Sequence, residues 1–541
     1  MLVSHFLIER LQNAGVRHVF GIPGDYVLET YSELWDSTKI KVVNNTDENH
    51  SGFAADGYAR VNGIGCLVVT YSVGASKVIN AVQCAYAERS PLIVISGAPG
   101  VNERSEPFLL HHMVRHFNSQ KKMFDEITCA SVVLDNPATA GYEIDRALEA
   151  LHYYKRPIYI ELPRDVAKQP ISYDVYKQGT PTAPPTDPEN LEEAIKEVNL
   201  FIAQSQRPAI LAGVEIARYK LGDQLVRFAE KNQIPVATTL LSKSVINERH
   251  PLFAGIYFGA GSEESTRKIV DDSDCLIIFG DYHHDMTLCF RPAKFNKRQV
   301  IWANVEGLQI KNHAYQNVQF VDFSKALFKM ELGAKPVPEL PKREKVVFEP
   351  KADVKVTSDR LFAKINSILD KNMAICADIG DALFGAADLT VHNQHHFLSP
   401  AYYTSMGPAI PYALGVQTAF PTVRPIVVVG DGAFQMSCTE LSTIVEKKLN
   451  PIVFVLNNDG YTTERFLKDG KFNDIRRWNY HKITDLIGGG KGKLVQTEQE
   501  LDAAVTEALD SKELFVINVM LGQRDISKGL KRMTDGLGKR V

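Results

Sequence analysis

Between residues 424 and 460 the chain places oxygen-bearing side chains at the ends of two apolar runs. Arg-Pro-Ile-Val-Val-Val-Gly-Asp-Gly spans 424–432, a helical pattern follows, and Pro-Ile-Val-Phe-Val-Leu-Asn-Asn-Asp-Gly spans 451–460. Two β-branched runs flanking a helix predict a βαβ unit with parallel strands ending side by side. Asp431 and Asn458, 458 − 431 = 27 residues apart, then meet at the carboxyl edge of one sheet, where open α/β sheets bind ligands. A carboxylate, an amide oxygen and a nearby backbone carbonyl suit Mg²⁺, which keeps phosphate and water as its other ligands. Gly430 and Gly432 let backbone approach a diphosphate, and the next helix is expected to aim N–H groups at it. Each half alone is ordinary turn chemistry. The pair points to a magnesium–diphosphate cradle.

Other segments carry groups suited to proton transfer. Phe20-Gly-Ile-Pro-Gly-Asp-Tyr26 reads as a strand entering a tight turn that presents Asp25. Glu48 precedes a helical pattern whose Gly52, Ala55 and Ala59 share one face, suited to close helix packing. In isolation Glu48 reads as a charge favoured at a helix start. His111 and His112 are adjacent, and Glu464 lies six residues after Asn458.

These residues are spread over a chain of 541, long enough for three or four domains. Hydrophobic residues make up 45% and charged residues 23%, which describes ordinary globular protein, and a net charge of −3 excludes a global field for nucleic acid or anionic membrane. The seven cysteines are scattered with no CxxC pair, which disfavours a disulfide framework or zinc site and favours a reducing cytoplasm. The N-terminus, interrupted by Glu9 and Arg10, reads as a folded helix rather than a leader, and no apolar stretch reaches membrane-spanning length.

Proline-rich breaks at 179–188 and 333–350 divide the chain into 1–178, 189–335 and 352–541. Strands are expected near 18–21, 67–71, 92–96 and 157–161, then 208–212, 234–238, 275–279 and 299–302, then 373–377, 425–429, 451–456 and 514–519. Their alternation with helical patterns predicts an α/β protein of three doubly wound parallel-sheet domains, the first and third sharing a coarse plan. The middle block's Gly259-Ala-Gly261-Ser lacks a third glycine and a preceding clear strand, so a dinucleotide fingerprint is unsupported there.

Taken together, Gly-Ile-Pro-Gly-Asp25, Glu48 with Ala-Ala-Asp-Gly-Tyr-Ala-Arg60, Leu110-His-His112, Gly430-Asp-Gly-Ala-Phe-Gln435 and Asn457-Asn-Asp-Gly-Tyr-Thr-Thr-Glu464 resemble the thiamine-diphosphate-dependent 2-oxoacid decarboxylases along essentially the whole chain. This family includes pyruvate, indolepyruvate, phenylpyruvate and branched-chain oxoacid decarboxylases. The resemblance implies thiamine diphosphate and Mg²⁺ as cofactors, a pyrimidine-binding domain (1–178), a central domain (189–335) and a diphosphate-binding domain (352–541). It implies that Glu48 hydrogen-bonds N1′ of the aminopyrimidine, that the Thr404 carbonyl receives the 4′-amino group, and that Met406 wedges the cofactor into a bent shape. The diphosphate and metal end is implied to involve Gly430, Asp431, Gly432, Ala433, Asn458, Gly460 and Tyr461, with Asp431, Asn458 and Gly460 on the metal. Asp25, His111, His112 and Glu464 are implied to relay the proton that converts the decarboxylated enamine into an aldehyde. Asp25 and Glu464 are expected to have raised pKa values through burial and mutual repulsion. The family joins its first- and third-domain groups between two chains, which implies a homodimer as the minimum active unit, commonly assembled as a homotetramer.

By the same resemblance the substrate pocket comprises Leu383, Phe384, Tyr403, Thr463 and Leu467. Thr463 stands where isoleucine or valine is frequent and Tyr403 where tryptophan is frequent, which suggests a roomier pocket and aromatic, branched or medium-chain 2-oxoacids. Many members carry threonine at the position of Asp381, whose carboxylate would repel a diphosphate unless turned away or bonded to backbone N–H groups. The competing expectations are a pyruvate decarboxylase proper, a carboligase of acetolactate synthase type, and a non-catalytic cofactor-binding protein.

Overall fold

A computed structural model describes residues 1–171, 184–289, 296–341 and 346–537, so the first half of the break expected at 179–188 lies outside the described residues. The chain divides into two compact units. One contains Met1–Ala183, Ile410–Val423 and Ser437–Leu449; the other contains Pro184–Ala409, Arg424–Met436 and Asn450–Val541.

The first unit is built on β1 (His18–Gly21), β2 (Lys41–Asn44), β3 (Gly65–Val69), β4 (Leu92–Ala98), β5 (Ala130–Val133) and β6 (Ile158–Pro163), ordered β2-β1-β3-β4-β6-β5 and parallel throughout. β3 and β4 are buried along their whole length, as strands covered on both faces must be. The helix Glu48–Asn62 begins where the Asp47 side chain accepts from Asn49 N and ends at Gly63 in the left-handed region. Its small residues let neighbours approach. A Cβ at Gly52 would lie 2.6 Å from that of Ala81, and one at Gly57 would lie 2.7 Å from Tyr412 Cα. At the C-terminal end of this helix Arg60 is buried between Asp56 (2.9 Å) and Glu88 (2.7 Å), and Tyr412 Oη donates to Asp56 (2.9 Å). Removing one member of this group would leave a buried charge uncompensated.

The second unit holds two sheets. The larger comprises β7 (Pro208–Ala212), β8 (Val236–Thr239), β9 (Phe253–Tyr257), β10 (Cys275–Phe279), β11 (Val300–Asn304), β12 (Gly307–Ile310) and β13 (His313–Tyr315), ordered β13-β12-β11-β10-β7-β8-β9. It departs from the all-parallel expectation, because β12 runs antiparallel to both β11 and β13. Asn304 Oδ1 accepts from Glu306 N and Gly307 N, making the tight turn that reverses the chain. Strand order reverses between β7 and β10, where a nucleotide would sit in such a sheet. Here the protein fills the crevice itself. A Cβ on Gly213 would meet Gly280 O at 2.3 Å, and buried Glu215 accepts from Val305 N.

The other sheet comprises β14 (Met373–Ala377), β15 (Phe397–Leu398), β16 (Arg424–Gly430), β17 (Ile452–Asn457), β18 (Lys491–Val495) and β19 (Phe515–Met520), ordered β15-β14-β16-β17-β19-β18 and all parallel. Numbered within each sheet, this is the order of the first unit's sheet, second-first-third-fourth-sixth-fifth. The shared plan read from the sequence is therefore a shared topology. One apolar core runs from the helices of the seven-stranded sheet to this sheet. No helix among the described residues is long and apolar enough to cross a membrane.

Candidate active site

Strands β16 and β17 pair Gly430 with Leu456, so Asp431 and Asn458 emerge at one sheet edge, as their spacing predicted. Asp431 is buried. Its Oδ1 accepts from Gly432 N (2.8 Å), and its Oδ2 accepts from Asn458 N (3.1 Å) and Gly460 N (3.3 Å). The Gly432 N–H, expected to face a phosphate, is thus directed to the carboxylate. Burial pushes the Asp431 carboxyl up to about 6 against these donors, and a bound cation would favour the ionised form. Beside it, Asn458 Oδ1 is buried and has no hydrogen-bond partner among the described residues. A buried acceptor left unpaired is costly unless a ligand completes it.

The surrounding turn depends on its glycines. Gly460 has φ 153, and a Cβ there would lie 2.2 Å from Asn473 O. A Cβ on Gly432 would lie 2.6 Å from the Tyr461 ring, whereas one on Gly430 would project into open space. That space is part of a cavity of about 430 Å³ bordered at this end by Gly430, Asp431, Gly432, Ala433, Asn458, Gly460 and Tyr461. The donor set, the unpaired amide oxygen and the open face at Gly430 fit a metal-bound diphosphate.

Thr404 and Met406 border the same cavity on a loop where Thr404 has φ 57. Sequence reasoning missed what holds this loop. Asp378, at the end of β14 and fully buried, accepts from Ile379 N (3.0 Å), Gly407 N (3.1 Å) and Ala409 N (3.2 Å). Burial pushes its carboxyl up to about 6 against these three donors, so the group takes up its proton as pH falls through that value.

The remaining wall is mostly apolar. Ile379, Phe384, Leu467, Met286 and Met533 line it, with Thr463 and Glu464 as its polar members. The two methionines come from distant segments with no motif to mark them. Leu383 and Tyr403 do not border the cavity. Leu383 lies one helical position from Phe384, turned about 100° away, and is fully buried in the core. Tyr403 is partly buried on the loop before Thr404. Asp381 borders the cavity, but its carboxylate accepts from Ser358 Oγ (2.5 Å), Ser527 Oγ (2.5 Å) and Ser527 N (3.0 Å). It is satisfied by the protein, which removes the expected conflict with a diphosphate. Through Ser527 it also anchors the start of the helix Lys528–Leu537, which carries Met533.

In the first unit Glu48 opens its helix with its side chain 14% exposed, and Lys77 Nζ lies 2.7 Å from its Oε2. Lys77 also pairs with Asp47, and these two carboxylates hold its ammonium above the usual range. No motif around Glu48 points to Lys77, because Val73–Lys77 is another helix. His111 Nε2 lies 2.6 Å from Asp25 Oδ2, and His112 Nε2 lies 3.9 Å from Asp25 Oδ1. The burial expected for the two acids is absent in this chain, since the Asp25 side chain is 42% exposed and Glu464 is exposed.

Three family models match the chain, described as the N-terminal TPP binding domain (residues 1–125), the central domain (195–329) and the C-terminal TPP binding domain (378–519) of thiamine pyrophosphate enzymes. A probable pyruvate decarboxylase of Schizosaccharomyces pombe is 32% identical, over 98% of this chain and 94% of its own length. The indole-3-pyruvate decarboxylase of Azospirillum brasilense is 31% identical over 99% and 98%. An alpha-keto-acid decarboxylase of Mycobacterium leprae is 30% identical over 98% and 95%. With a cradle suited to a diphosphate and likeness along its whole length, the chain belongs to the thiamine-diphosphate-dependent 2-oxoacid decarboxylase family.

Proposed function

We propose that the enzyme converts 2-oxoacids with aromatic, branched or medium-length side chains to aldehydes and CO₂, with thiamine diphosphate held through Mg²⁺. The observation that carries the metal is the unpaired Asn458 Oδ1 beside Asp431. The one that carries the substrate class is the apolar wall of Ile379, Phe384, Leu467, Met286 and Met533. Bound thiamine diphosphate supplies the electron sink for loss of the carboxylate. Asp431, Asn458 and the Gly460 carbonyl hold the metal. Thr404 and Met406 orient the rings, and Glu48 holds the proton at the pyrimidine end. The product carries hydrogen where the substrate carried carboxylate, so one proton must be delivered, and Asp25, His111, His112 and Glu464 handle it.

The working unit in this reading is a homodimer or homotetramer in the cytoplasm. Its chains comprise a pyrimidine-binding domain (1–178), a central domain (189–335) and a diphosphate-binding domain (352–541). Support for a reducing compartment comes from seven free cysteines.

The test is kcat/KM over pyruvate, 4-methyl-2-oxopentanoate and phenylpyruvate, with the products identified. Each extra methylene seated in an apolar pocket contributes roughly 10-fold or more, so the larger acids are expected to exceed pyruvate by at least that factor. Preference for pyruvate would overturn the substrate reading alone, and acetolactate as the main product would replace it with carboligation.

A further inference from the structure

We propose that Tyr26 is a positioning residue for the Asp25–His111 pair, its hydroxyl serving both protonation states of the imidazole. This rests on the proton-handling reading above.

His111 needs such support, because its side chain is 57% exposed. Tyr26 is the buried surface against which it lies. The Tyr26 side chain is 1% exposed, and its ring stacks on the imidazole at 4.6 Å with 23° between planes. The Arg164 guanidinium lies 5.0 Å from the tyrosine ring centroid and is itself bonded to Glu103 (2.9 Å). Tyr71 packs edge-on at 5.7 Å. The backbone is equally fixed, since a Cβ on Gly97 of β4 would lie 2.2 Å from Tyr26 O. The tyrosine is packed on these sides, and the histidine lies against it.

The hydroxyl has two possible partners on that one histidine. It lies 3.3 Å from His111 Nδ1 and 3.3 Å from the His111 carbonyl oxygen. When the neutral ring carries its proton on Nε2 and donates to Asp25, Nδ1 is bare and the tyrosine O–H donates to it. When the ring is protonated on both nitrogens, Nδ1–H donates to the phenolic oxygen, and the O–H turns to the carbonyl. No heavy atom moves, and Nδ1 keeps the tyrosine hydroxyl as its partner in either state. A hydroxyl is the group that can do this, since it both donates and accepts. Burial and nearby Asp25 raise the Tyr26 phenol, which keeps that hydrogen in place. His111 can thus gain or lose a proton with Nε2 still aimed at Asp25, and its other tautomer, which would set a bare Nε2 against the carboxylate, is disfavoured.

The experiment is a double-mutant cycle on the cofactor-loaded enzyme: wild type, Tyr26→Phe, His111→Ala and the double variant. Phenylalanine keeps the ring and the stack and removes only the hydroxyl. Tyr26→Phe is expected to lower kcat about 10-fold with KM changed less than roughly twofold. In the His111→Ala background the same substitution is expected to have no further effect. Unchanged kcat in Tyr26→Phe, equal losses in both backgrounds, or failure of Tyr26→Phe to fold would each overturn the proposal. Full activity in His111→Ala would instead overturn the reading of His111 on which it rests.

Discussion

Replacing Glu48 by glutamine is expected to lower kcat by about 10²–10⁴-fold, the range set by losing a positioned proton-transfer group, while thiamine diphosphate still binds. Glutamine has the same shape but cannot hold or return a proton. The helix has its own start signal, because the Asp47 side chain caps Asn49 N, so the fold does not depend on the glutamate. The pair with Lys77 is lost, but Lys77 is 49% exposed and keeps Asp47 as a partner. A pair exposed to that degree contributes roughly 0–1 kcal/mol. Turnover is therefore expected to collapse with the melting temperature nearly unchanged. Steady-state kinetics and calorimetric titration of the cofactor check both halves. A glutamine variant with wild-type turnover would remove Glu48 from the chemistry, and one that no longer takes up the cofactor would make it a binding residue.

The second large effect separates two neighbouring residues. Asp431→Ala leaves the N–H groups of Gly432, Asn458 and Gly460 without their acceptor, at a cost of about 1–3 kcal/mol for each buried donor left unpaired. It is expected to destabilise the apo-protein and abolish cofactor retention together. Asn458→Ala removes an oxygen that no group among the described residues uses, so the apo-protein should be as stable as wild type or slightly more so. Its affinity for thiamine diphosphate in Mg²⁺ is nevertheless expected to fall by about 100-fold or more, since loss of a group that merely supports a ligand already costs 10–100-fold. Thermal melts of the apo-proteins, with and without Mg²⁺ and cofactor, report both quantities. A destabilised apo Asn458→Ala protein that keeps its cofactor affinity would make the amide structural.

The sequence carried the centre of this site well and its supports poorly, for physical reasons. Asp431 and Asn458 were legible because β16 and β17 are continuous β-branched runs buried on both faces, which fixes where the strands end. Edge strands lacked that signal. β2 opens on exposed Lys41 and is only partly buried, β5 alternates buried and half-buried residues, and β18 is mostly exposed. β9 was obscured by Gly255, whose φ of 116 accompanies a register shift between β8 and β9. The supports of the site lie far from the motifs they serve. Asp378 reaches the Gly407 backbone across 29 residues, and Lys77 reaches Glu48 from another helix. Met286 and Met533 are ordinary apolar residues until the fold brings them to one cavity. Leu383 and Phe384 are adjacent in the chain, and only the helix decides which of them faces the ligand.

We propose that one cofactor is anchored by Asp431 and Asn458 and activated by Glu48, with the two ends supplied by different chains. Mixing and reassembling Glu48→Gln and Asn458→Ala chains tests it most directly, at cofactor levels where each variant alone is silent. In a hybrid dimer with sites shared between chains, one site carries both lesions and the other carries none. Random pairing is then predicted to restore about a quarter of wild-type activity. If each site lay within a single chain, every site in the hybrid would keep one lesion. A mixture as silent as its components, with hybrid dimers demonstrated by mass, would contradict the account.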